Sequence, residues 1–230
     1  MFFRHHGEIW KDFPQLSVGV LHVQGIQGAS DVTDRVRSIW DSATRRLDGK
    51  PEGELAEIQA WRRAFATMGL KPTQYRCASE SLLRRFRKDG SIPPLNPLVD
   101  ICNAVSLLFA IPIAVFDVTK ITGFLEVRYA AGSEIYTPFG GGDESPEKEE
   151  VVFADESGRA HSRRWTYRQS GYSAVFDSTR EELIVCEALH ETARIDVPRL
   201  VDTLKSHVAS ISSEPARSEV FSVPGGEFQL

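Results

Sequence analysis

Pro112 divides the chain into two halves with different hydrophobic periods, and that order limits the fold more than any single motif. Before it, apolar residues recur every three or four positions, as amphipathic helices require. After it come the short β-branched and aromatic segments IAVFDV, FLEVRYA, EVVFAD, RRWTYR, SAVFD and ELIVCE, separated by Gly, Asp and Ser turns. A regular βαβ alternation would need a helix between each pair of later strands, so segregated α+β packing is expected, a layered sheet with helices on one side.

The individual signals refine this. A first strand is expected over Leu16–Gln24, then a helix capped by Ser30 or Asp31 that carries Val36, Ile39, Trp40, Ala43 and Leu47. After the turn-rich linker 47–54, Leu55, Ile58, Trp61, Phe65 and Met68 mark a second helix ended by Gly69. A third runs from Ser79 to Lys88, and Asn96–Pro97 opens a fourth. A last helix is expected after Pro198, with residues 212–230 as a loosely held tail behind one domain over 1–211.

The longest apolar stretch, Ala104–Phe116, is interrupted by proline and is shorter than the ~20 residues of a membrane-spanning helix. The N-terminus lacks the apolar run of a secretory signal, so a cytoplasmic address is expected, with no membrane partner. Three cysteines without a CxxC pair argue against a disulfide framework or a zinc ribbon. The 27 basic and 32 acidic residues give a net charge of −5, the wrong sign for gripping nucleic acid over the whole surface. The charge is nevertheless polarised. Residues 61–90 carry Arg62, Arg63, Lys71, Arg76, Arg84, Arg85, Arg87 and Lys88 against Glu80 and Asp89, whereas residues 141–156 are strongly acidic. Such runs are either solvated faces or a docking face for an anion.

Several chemistries lack their residues. There is no GxxxxGK[ST] loop, no GxGxxG after a strand, and no His/Cys spacing suited to a metal, so neither metal nor cofactor is expected. Gly140–Gly142 precede an acidic segment and read as a turn. Cys102 has no basic sequence neighbour, and buried packing is the better reading than a thiolate nucleophile.

The informative stretch has a definite order: VD-x-x-N at 99–103, P-x-x-x-x-D at 112–117, a strand, AD-x-x-G at 154–158, and T-x-x-x-x-x-x-x-E at 179–187. Over residues 55–195 this resembles the tRNA-editing domain of the bacterial phenylalanyl-tRNA synthetase beta subunit, and more closely the free-standing proteins built from that domain. The remaining residues leave no room for a synthetase catalytic domain. The resemblance implies a layered β/β/α domain that acts in trans, hydrolysing the ester of a mischarged tRNA such as tyrosine on the phenylalanine tRNA. Its partner would be the aminoacylated acceptor end of tRNA, with no DNA.

Residue by residue, the resemblance places Asn103, Arg168 and Glu187 in the catalytic site. Glu187 would recognise a tyrosine hydroxyl, which separates tyrosine from phenylalanine because the analogue leaves a buried group unpaired. Cys102, Ala114, Arg164 and Glu80 would line the substrate, and Arg76, Arg84, Arg85, Arg87 and Lys88 would meet the RNA. Ala114 stands where the family commonly has a histidine, and TYRQSG replaces a glycine-rich turn, so the substrate is open to change. An aminoacyl ester is already activated, so a held water and oxyanion donors suffice without metal or triad.

Plainer roles stay open beside these: an i,i+4 ion pair between Glu80 and Arg84, which leaves Arg85 and Arg87 for phosphates, pairing of Glu187 with Arg168, and a packing role for Asn103. Asn96, Asp100 and Asp117 read as caps and turn supports. Two other functions remain open, a non-catalytic module that binds a tRNA end or small molecule, and a Cys102-dependent hydrolase. The deacylase reading requires one cleft that gathers Asn103 and Glu187.

Overall fold

The computed structural model describes every residue except Ala29 and Asp48, so Asp48 of the linker lies outside the described residues. The first half holds β1 (Phe2–His5), α1 (Gly7–Asp12), β2 (Ser17–Gln24), α2 (Thr33–Leu47), α3 (Ala56–Thr67), α4 (Ala78–Asp89) and α5 (Pro97–Phe109). The second holds β3 (Ile113–Asp117), β4 (Phe124–Tyr129), β5 (Ile135–Tyr136), β6 (Val151–Asp155), β7 (Arg159–Ala160), β8 (Ser162–Arg163), β9 (Arg168–Gln169), β10 (Glu181–Ala188), α6 (Ala193–Val208), β11 (Arg217–Phe221) and β12 (Glu227–Gln229). Three sheets result: a six-stranded one ordered β12-β1-β4-β6-β7-β5, a four-stranded one ordered β11-β2-β10-β3, and the short pair β8-β9.

Strand alternation explains the layers. Leu183 and Val185 of β10, with Phe116 of β3 and Val18 and Val20 of β2, join Phe3, Leu125, Val127 and Phe153 of the six-stranded sheet in one buried cluster. Ile184, Cys186, Val115 and Leu21 point the other way and pack on apolar residues of α2, α5 and α6. The order is therefore sheet, sheet, helices, with β2 and β10 of the four-stranded sheet buried on both faces and β11 at its partly exposed edge. Helix α6 lies so close to β2 that a Cβ on Gly19 would come within 2.5 Å of Val201 and 2.6 Å of the Cys186 sulfur. Asn96 caps α5, its Oδ1 accepting from the Leu98 N–H at 3.1 Å, and Asp31 accepts from the Thr33 N–H at the start of α2.

The sequence expectations need correction at four places. Residues 1–15 carry β1 and α1, for which no pattern was legible. Residues 212–230 are no loose tail: β11 pairs with β2, and β12 pairs with β1, so both sheets depend on them. Helix α6 begins at Ala193, five residues before Pro198, which it accommodates in its second turn by giving up one backbone bond. Neither RRWTYR nor SAVFD is a continuous strand. In the first, Arg164 and Trp165 adopt left-handed φ values of 50° and 58°, a turn that swings Trp165 fully into the core.

One buried group on β10 is unsatisfied. Glu182 is fully buried, faces Asp117 across the β3 ladder, and neither of its oxygens has a hydrogen-bond partner among the described residues. Burial, reinforced by the Asp117 charge, pushes its pKa from 4.5 up to about 7. Between those values the folded chain holds a proton that the unfolded chain has released, so stability falls as pH rises through that window. Glu182→Gln removes the loss. Urea unfolding is expected to show the variant more stable by up to about 3 kcal/mol near pH 8 and equal to the parent near pH 4.

Candidate functional site

Glu187 lies near the end of β10, on the side that faces the other sheet, and is almost completely buried. A carboxylate there needs donors. Its Oε1 pairs with His5 Nε2 at 2.6 Å and accepts from Trp165 Nε1 at 2.8 Å, while no protein donor reaches Oε2 among the described residues. Each donor is held by its own packing. His5 is buried on β1 against Phe3 and Trp10, and Trp165 sits edge-on between Phe13 and Trp61, each 4.9 Å away between ring centroids. A bulky residue at positive φ costs roughly 1–3 kcal/mol unless its surroundings fix it. Here Glu150 does so, accepting from the Arg164 N–H at 2.8 Å and from Arg163 Nε and Nη2 at 3.0 and 2.8 Å.

Beside Glu187 is a hollow of about 60 Å³, lined by Ala78, Ala114, Phe116, Phe153, Trp165, Arg168 and Gln169 among others. Arg168 and Ala114 therefore lie around the same hollow as Glu187, but no ion pair forms between Arg168 and Glu187; His5 and Trp165 take that role. Both donors escaped the sequence reading. His5 is 182 residues from its partner in the chain. Trp165 had a usable signal, since a buried indole N–H demands an acceptor.

Asn103 is elsewhere. It projects from α5 into a larger hollow of about 340 Å³ on the other side of β3, with Cys102, Ile113, Val115, Phe139, Gln169 and Phe176. Alternation along β3 sends Ala114 and Phe116 to one side and Ile113 and Val115 to the other, so among the described residues no single cleft reaches both Asn103 and Glu187; the one-cleft condition set from the sequence is not met, and any deacylase reading must rest on two adjoining hollows. Among the described residues only Ile113 and Gln169 border both hollows, and Gln169 is held there by donating from Nε2 to the Val115 carbonyl at 2.5 Å. Cys102 is buried, and burial pushes its thiol pKa up, which keeps it un-ionised and removes the thiolate reading.

The basic run is more neutralised than its composition implies. Glu80 does not pair with Arg84. It is buried beneath Arg62 Nη2 and Nε at 2.6 and 3.2 Å and Arg76 Nε at 3.4 Å, far from a substrate role. Arg84 and Arg87 converge on Glu52 at 3.0 and 3.1 Å, and Arg85 lies 3.8 Å from Asp89, so the freedom expected for Arg85 and Arg87 is reduced. Lys88 makes no ion pair among the described residues. Arg164 stacks on Tyr75 at 4.8 Å and approaches Glu147 and Glu150, outside both hollows.

Among the described residues, no helix is long and apolar enough to cross a membrane, and no group of three or more His, Cys, Asp or Glu side chains could hold a metal ion. A two-sheet sandwich backed by helices, with hollows on either side of one edge strand, defines an α+β domain with a bipartite candidate site. The chain belongs to the B3/4 domain family, whose profile matches residues 60–200. It is 27% identical over 169 residues to the phenylalanine–tRNA ligase beta subunit of Shewanella oneidensis, covering 74% of this chain and 20% of that protein. With the beta subunit from Corynebacterium jeikeium it shares 33% identity over 125 residues, 54% of this chain and 13% of the relative. The chain thus spans a fifth or less of these relatives. An N-terminal fragment of the Pyrococcus horikoshii phenylalanyl-tRNA synthetase beta subunit superposes with a TM-score of 0.48 at 10% identity, covering 94% of this chain and 49% of the fragment.

Trp165→Phe keeps one aromatic ring but removes the fused five-membered ring and its N–H, so both a contact to Glu187 and some buried volume are lost. Denaturant unfolding is expected to show a loss of about 1–3 kcal/mol, and a change below about 0.5 kcal/mol would contradict the bond.

Proposed function

We propose that this domain hydrolyses, in trans, the ester of a wrongly charged aminoacyl-tRNA, with the RNA end and the amino acid in the two separate hollows. The observation that carries this reading is the rim of the Asn103 hollow. Leu95, Phe139 and Phe176, 72%, 73% and 61% exposed, surround one opening whose floor offers the Asn103 amide. Exposed aromatics gathered around a concave site mark a binding surface. Phenyl faces stack on bases, and an amide can bond the edge of adenine, so the opening suits the terminal adenosine of tRNA. Membership of the B3/4 family and the similarity to synthetase beta subunits support the same substrate class.

From that position the ester passes Gln169 toward Glu187. Arg168 and the Gln169 amide are the available donors for the developing oxyanion. Water adds to the carbonyl carbon, the tetrahedral intermediate expels the ribose oxygen, and that oxygen takes the proton, leaving free amino acid and intact tRNA. Glu187 Oε2 accepts a donor on the bound side chain. The 60 Å³ hollow is under half the ~150 Å³ that admits benzene, so as shaped it takes a small hydroxyl-bearing side chain in preference to a phenol.

The test is a panel of mischarged tRNAs, including seryl-, threonyl- and tyrosyl-esters, followed for ester loss against the spontaneous rate. Turnover of a small-side-chain ester is expected. Phe139→Ala should raise KM by roughly 5- to 100-fold through lost stacking with little effect on kcat. Preference for the tyrosyl ester would overturn the size argument. Binding of tRNA with no turnover on any ester would overturn catalysis and leave the non-catalytic module.

A further inference from the structure

A third opening, of about 160 Å³, lies between α2 and α5 and is separate from the Glu187 hollow. Its α2 wall precedes the span matched by the B3/4 profile, so the profile does not account for it. The floor is apolar, formed by Val36, Trp40 and Ile92, and opposite charges stand on its two helices, Arg37 on α2 and Asp100 on α5, with Asn103 one turn beyond Asp100.

Neither charge is strongly committed. Arg37 is largely exposed and, among the described residues, pairs only with Asp34, fully exposed itself, at 3.7 Å, a pair worth little in water. Asp100 accepts the Leu95 N–H at 2.9 Å, yet burial still pushes its carboxyl pKa up, a cost that a ligand cation would relieve. The volume matches the ~150 Å³ that takes a benzene ring, enough for one leucine- or phenylalanine-sized body but not for a nucleotide or an acyl chain. One cation, one anion and a compact apolar floor are complementary to a molecule with the same three parts.

We propose that the α2–α5 groove binds a free amino acid with an apolar side chain, its ammonium at Asp100 and Asn103, its carboxylate at Arg37, and its side chain on Val36, Trp40 and Ile92. This site goes beyond the deacylase reading and does not depend on it. Asn103 also lines the aromatic-rimmed hollow, so an occupant touches a residue shared with that site.

Calorimetry and thermal unfolding of the full chain with L-leucine and L-phenylalanine test the proposal, with N-acetyl-leucine and 3-methylbutylamine as probes that each lack one charge. Either amino acid at about ten times its Kd is expected to raise Tm by about 2–4 °C. Each capped probe, and each of Arg37→Glu and Asp100→Asn, should weaken binding by at least about tenfold. Val36→Trp should fill the groove and abolish binding, and the exposed Arg37→Glu keeps the test decisive if that variant does not fold. Absence of any shift with both amino acids, equal binding of the capped probes, or binding lost in Glu187→Ala but kept in Arg37→Glu would overturn it.

Discussion

A carboxylate buried between two sheets must be surrounded by donors, because removing it from water costs several kcal/mol even after relaxation. Glu187 meets that requirement with His5 from the first strand and Trp165 from a left-handed turn. The rest of the sandwich follows from holding those two groups in place. Strand β1 must lie parallel to β4 to bring His5 inward, and Trp165 must be wedged between Phe13 and Trp61. The turn that carries Trp165 is in turn fixed by the Arg163–Glu150–Glu144 cluster, so the acidic segment has a structural use as well as a solvated one.

Legibility in the sequence followed the range of the interactions. Helices α2 to α5 were readable because their stripes, caps and stop glycines are local; Asn96–Pro97 and Gly90 set their ends within one turn. Strands β2, β3, β4, β6 and β10 were readable because each is bounded by turn residues. Strands β1, β11 and β12 are short and mixed in polarity, and they become strands only through partners far along the chain. Residues Arg163–Arg168 misled for a different reason: their aromatic and β-branched composition fits a strand, but tertiary packing of one indole overrides it.

At the site, two-residue alternation put Glu187 on the face opposite Cys186, with Leu183 and Val185, because the period of a strand settles the face. The same rule applied to β3 would have separated Asn103 from Glu187, because α5 packs on the face opposite the second sheet. Charge counting failed where burial intervened. Glu80 and Glu52 sit under the arginines of α3 and α4 and offset them, so the basic run joins an internal network before it meets solvent.

The span matched by the family profile is narrower than the cooperative unit. A polypeptide trimmed to residues 60–200 would carry Glu187 without His5, and β10 without β2, its central neighbour. Its strand edge would be left bare and its inner acid half-solvated, a recipe for edge-to-edge aggregation. Residues outside the recognisable module are thus as much a part of its interior as those within, and domain boundaries drawn from similarity alone would cut through the hydrophobic centre.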